Sequence, residues 1–161
     1  MGKTASLLLL FVLTTAACGG PSIDLSKGLE VLDISSAWRD VGIVDGQNKI
    51  VPSITFKIKN VTDQKLTGLQ LNLLFRRITE PDEEWGSAFV ISPAPGGLEP
   101  GQTSNSITAT SQLGYKGTEP REQLLKNSQF VDAKVDLFAK YASVQWKKVG
   151  EFPIERQLIM Q

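Results

Sequence analysis

The sequence predicts an all-β fold, an antiparallel β-sandwich of about seven strands with one short crossover helix. Three observations carry this expectation. Apolar and polar residues alternate strictly in several separate runs, which is the pattern of a strand with one buried face. Turn-forming residues punctuate those runs. Only residues 119–127 read as helix.

The elements follow in chain order. Leu32 and Ile34 lead towards Trp38 in a first strand, and Asp45-Gly46 suits the turn that ends it. Ile54, Phe56 and Ile58 alternate with Thr55, Lys57 and Lys59. Leu69, Leu71, Leu73 and Phe75 then alternate with Gln70, Asn72, Leu74 and Arg76. The polar stretch 60–65 between these two runs reads as a hairpin connection. Residues 78–99 read as a long loop, closed by Leu98-Glu99-Pro100-Gly101-Gln102. There proline presets the first angle of a type II turn and glycine takes the positive one. The Ser- and Thr-rich run 103–115 suits a partly buried strand with Ile107, Ala109 and Leu113 on one face. Thr118 can cap the helix of residues 119–127, with Pro120 in its first turn. Ala133, Val135, Leu137, Ala139 and Tyr141 form the next inward row, Val144 and Trp146 continue the alternation, and residues 154–159 can add a last strand.

Composition excludes several classes of function. Lys plus Arg and Asp plus Glu number 17 each, so nothing favours long-range attraction to nucleic acid. The absence of histidine removes Ser-His-Asp and Cys-His nucleophile systems and most imidazole metal centres. A single cysteine can form neither an internal disulfide nor a thiolate zinc site. No metal or organic cofactor is expected; carboxylate-only catalysis and a calcium site survive as logical possibilities.

The N-terminus carries the most specific signal. Lys3 precedes an apolar run from Ala5 to Ala17, and the run is too short to span a bilayer. It ends in Thr15-Ala16-Ala17-Cys18, with the only cysteine of the chain. This segment resembles the lipobox of bacterial lipoproteins, although Thr15 stands where that family usually has leucine. The resemblance implies removal of residues 1–17 as a signal peptide and acylation of Cys18. It also implies attachment to the extracytoplasmic side of a bacterial envelope membrane, the outer membrane in a Gram-negative cell. Two acyl chains suffice for stable attachment. Residues 18–28 then form the lipidated cysteine and its tether, and residues 29–161 the sandwich domain.

A second resemblance covers residues 53–102. The strand ending Lys59-Asn60, the polar turn with Asp63, the strand from Leu69 to Phe75 and the Leu98-x-Pro100-Gly101-Gln102 turn are similar to immunoglobulin-like domains of bacterial envelope lipoproteins, including the FxLYD group. Leu74-Phe75-Arg76-Arg77 departs from that group, which has an aromatic residue followed by aspartate there. The resemblance implies an immunoglobulin-like arrangement of strands.

Candidate sites outside the N-terminus are few. Glu80-Pro81-Asp82-Glu83-Glu84 could attract calcium, but it lacks the spacing and glycine of a calcium loop and reads as a solvated hairpin loop. Trp85 and Phe89 either plug the end of the sandwich or anchor a protein partner. Arg76 and Arg77 could meet a phosphate or an acidic partner, or pair with Glu80 or Asp82. Lys147-Lys148 would suit anionic headgroups if it faced the membrane. The expected role is therefore a non-catalytic, lipid-anchored protein-binding or structural module. The alternative is a small-ligand-binding accessory subunit of an envelope transport system, which needs an apolar pocket of several hundred cubic ångströms.

Overall fold

The computed structural model describes residues 23–91, 93–142 and 145–160. Its elements are α1 (Leu25–Gly28), β1 (Leu29–Val44), β2 (Gln47–Asn60), β3 (Gln70–Arg77), β4 (Gly86–Ile91), β5 (Ile107–Thr110), β6 (Tyr115–Gly117), α2 (Arg121–Leu124), β7 (Ala133–Lys140), β8 (Lys147–Pro153) and β9 (Leu158–Ile159). One sheet has the order β5-β2-β1-β9, with β6 also on β2; the other has the order β4-β3-β7-β8. The chain is thus mostly β, built as two sheets around one core. That core draws Trp38, Ile54, Phe56 and Ile58 from the first sheet and Leu71, Leu73, Phe75, Val135 and Leu137 from the second.

The alternating runs at 54–58, 69–75 and 133–139 supply the inner faces, as their period of two requires. The turn at Asp45-Gly46 joins β1 to β2 with both residues at positive φ, 53° and 76°. That is the geometry a two-residue hairpin loop needs to match strand twist. Gly101 has φ 77° and Gln102 N donates to Glu99 O at 3.0 Å, consistent with the type II turn.

Several expectations are corrected. The runs at 54–58 and 69–75 do not form a hairpin: β2 pairs with β1, β5 and β6, and β3 with β4 and β7. The connection between them crosses from one sheet to the other. Asn60 fixes that crossing, because its buried side chain donates to Gln64 O and Leu98 O, each at 2.8 Å, and accepts from Thr62 N at 2.9 Å. The 78–99 segment is not one loop, since β4 lies inside it. The strand expected over 103–115 divides into β5 and β6, and Leu113 is exposed. Among the described residues nine strands stand where about seven were expected, and two helical turns where one helix was expected. The helix of 119–127 shrinks to α2, with Pro120 at its N-cap and no side-chain cap from Thr118. The last strand, β9, pairs with β1 in parallel, so the first sheet is mixed.

The second helical turn, α1, falls where a tether was expected. Asp24 caps it through Ser26 N at 3.1 Å, and Leu25 is buried in the core. Residues 25–28 therefore pack with the domain.

Candidate functional site

The four side chains nominated from sequence separate into three environments. Arg76 lies on the outer face of the β4-β3-β7-β8 sheet, where its Nε donates to Asp136 Oδ2 at 3.0 Å. Asp136 is buried and also meets Lys148 Nζ at 2.8 Å. Glu151 in turn meets Lys148 at 2.5 Å and Lys134 at 3.2 Å. These charges form a closed lattice across β3, β7 and β8. The hydrogen bonds from Lys148 and then Lys134 hold the Glu151 carboxyl at about 2, well below its ordinary 4.5, and Lys148 is raised by Asp136 and Glu151.

Arg77 pairs with Glu80, one of the two partners expected, and its guanidinium lies 5.9 Å from the centre of the Trp85 ring. Trp85 turns inward. Its ring centre is 6.0 Å from Trp38 and 5.2 Å from Tyr115, and Tyr115 lies 4.6 Å from Phe130. Tyr115 Oη is held by Val131, accepting from its N–H at 3.0 Å and facing its carbonyl at 3.1 Å. Arg156 covers Phe130 at 4.9 Å and pairs with Asp132. Trp85 is therefore part of an aromatic plug at the end of the sandwich beside the 78–85 loop. A recess of about 170 Å³ lies against that plug, lined by Tyr115, Lys116, Leu124 and Phe130 among others.

Phe89 has the opposite fate. It lies on the outward side of β4, 53% exposed, with Ile91 at 67% two residues on. Trp146 meets it edge to face at 5.9 Å, and Lys140 Nζ lies 5.9 Å from the Trp146 ring centre. Sequence alone tied Trp146 to an inward row with Val144, which lies outside the described residues. The signal that could have linked Trp146 to Phe89 is the pairing order of the sheet, which alternation does not encode.

Register locates this patch. Gln70 pairs with both Ile91 and Lys140, and Ala139 with Lys147. The end of β4, the end of β7 and the start of β8 therefore share one end of the molecule. The N-terminal segment enters at the same end: α1 packs against β1 and β8, and Lys147 helps lower Asp24 behind the hydrogen bonds from Ser26. An open cleft of about 410 Å³ lies there between α1 and the 61–64 turn. Ile23 and Val61 line it together with Asp24, Lys27, Asp63 and Gln64.

Nothing among the described residues gathers three or more potential metal ligands. Glu83 and Glu84 are exposed in the acidic loop. No helix among the described residues is long and apolar enough to cross a membrane. Cys18 lies outside the described residues.

No family model matches the chain, and no curated protein does. Two solved structures are similar over most of their length. A structural-genomics target designated SoR45 aligns with TM-score 0.46 and 10% identity, over 81% of this chain and 88% of that one. A Bordetella pertussis structure named for ApaA aligns with TM-score 0.43 and 11% identity, over 80% of this chain and 93% of that one. Likeness of this extent establishes neither a family nor a role.

Proposed function

We propose that this chain is a bacterial envelope lipoprotein. In this reading acyl chains on Cys18 anchor a non-catalytic, immunoglobulin-like sandwich to the extracytoplasmic side of a membrane, where it binds or braces another protein. The observation that carries the reading is the N-terminal pattern: one early lysine, an apolar run too short to span, and Ala16-Ala17 before the only cysteine.

Two features support the non-catalytic part. The chain has no imidazole for acid–base work, and the buried carboxylates Asp40 and Asp136 are each neutralised, by Arg121 at 2.8 Å and by Arg76 and Lys148. The end away from the tether offers a partner surface, with Ile78 and Leu113 exposed near the acidic 80–84 loop.

Mass spectrometry of the mature N-terminus tests the anchor. The expected product is a peptide beginning at Cys18 and carrying a diacylglyceryl group; an unmodified thiol on a freely released protein overturns the reading. Crosslinking from intact membranes tests the partner. A discrete adduct through the 78–84 loop is expected, and its loss on Ile78→Glu would tie the partner to that end.

A further inference from the structure

Given that anchor, we propose that the tether end of the sandwich also touches the bilayer directly. Phe89, Ile91 and Trp146 sit in the headgroup region of an anionic phospholipid surface, and Lys140 and Lys147 meet its phosphates. The lipid would then hold the domain in one orientation rather than on a free swivel.

Three observations point to a lipid surface as the occupant. The first is reach. Ile23 is the first described residue and Cys18 lies five peptide steps before it, so a fully extended link covers at most about 18 Å. A membrane-bound Cys18 keeps this end of the domain that close to the headgroups at all times. At such an effective concentration even a weak surface contact is well populated.

The second is chemistry. Trp146 and Phe89 stack edge to face on the outside of the sheet, Ile91 stands beside them, and Lys140 lies over the indole. Trp near a lysine is the pairing that settles at a membrane–water boundary, where the ring enters the headgroup layer and the ammonium stays wet.

The third is charge. Among the described residues, Lys27, Lys140 and Lys147 form no ion pair, whereas Lys65 at the same end is taken by Glu99 at 2.8 Å and Lys148 by Asp136 and Glu151. The acidic residues that share this end are Asp24, Glu30, Asp63 and Glu99; the Asp24 carboxylate is engaged by Ser26 and that of Glu99 by Lys65. The three lysines remain available to anionic lipid.

The test uses the full mature protein, purified from membranes and reconstituted into vesicles of phosphatidylethanolamine and phosphatidylglycerol, with and without brominated acyl chains. Trp38 is buried and Trp85 belongs to the plug, so bromine should quench emission from Trp146 alone. Trp146→Phe should abolish the quenchable component. The pair Lys140→Glu and Lys147→Glu should reduce quenching roughly twofold or more, and high salt should mimic it. Thermal unfolding of each variant should stay close to the parent.

The N-terminus of the same sample is checked by mass spectrometry. An unmodified Cys18 removes the anchor and this proposal with it. An acylated Cys18 with Trp146 unquenched leaves the anchor standing and overturns the bilayer contact. So does protection of Trp146 only when a crosslinked protein is present.

Discussion

Two aromatic groups among the described residues contrast in burial, partners and position. Trp38, Trp85, Tyr115 and Phe130 pack against one another in or beside the core. Phe89 and Trp146 meet edge to face on an outer face, with Lys140 over the indole and Ile91 exposed alongside. Trp85 and Phe89 are four residues apart, the first just before β4 and the second within it. Alternation along β4 turns Ala88 and Val90 towards the core and Phe89 and Ile91 away. Trp85 precedes the strand, where its backbone N–H still donates to Phe75 O at 2.8 Å, and it swings over the open end of the sandwich. An apolar side chain on a strand is thus core or surface by parity, and hydrophobicity alone does not decide which.

The sharpest way to break this contrast is stability. Trp38→Ala should cost about 3–5 kcal/mol in urea unfolding, because the ring is fully buried among three others. Phe89→Ala should cost well under 1 kcal/mol by the same measurement, as for an exposed side chain. Similar losses at the two positions would erase the distinction. Trp38→Phe should be far milder than Trp38→Ala, since the indole N–H is buried with no hydrogen-bond partner among the described residues and its removal strands nothing.

An intermediate effect belongs to the crossing between sheets. Asn60→Ala leaves Gln64 O, Leu98 O and Thr62 N without their side-chain partner and should destabilise by about 2–3 kcal/mol. Hydrogen exchange should quicken first over residues 61–66. Protection lost first at the aromatic plug instead would contradict this account.

The smallest effect separates the charged half of the outer face from its aromatic half. Glu151 titrates near 2 in the fold and at an ordinary 4.5 when unfolded. Its stabilisation is therefore fully present above about pH 4.5 and disappears as pH falls towards 2. The half-exposed position of its side chain keeps the effect modest. Glu151→Gln should flatten that part of the acid limb of the stability curve, whereas Trp146→Phe should leave it unchanged.

Much of the fold was legible because burial on one face imposes a period of two. The inner rows at Ile54–Ile58, Leu69–Phe75 and Ala133–Ala139 follow from it, and so do the turns at Asp45-Gly46 and Pro100-Gly101. Pairing was not legible. A six-residue polar stretch reads alike whether it closes a hairpin or changes sheet, and the side chain that decides is Asn60, whose partners at 64 and 98 are set by tertiary structure. The candidate site was half legible for the same reason. Residue type nominated Trp85, Phe89, Arg76 and Arg77, but only pairing order could put Trp146 beside Phe89 or give Arg76 to Asp136.

The base of the molecule is fastened in a way that bears on mechanics. Val61 N donates to Gly28 O, and the Asn60 backbone bonds to both Gly101 and Gln102, so the first helical turn, the sheet crossing and the proline–glycine corner are laced together. A pull arriving through the N-terminus is spread over three segments at once instead of peeling one strand from its neighbour. Traction of that kind would reach the rest of the body as a load on the whole footing.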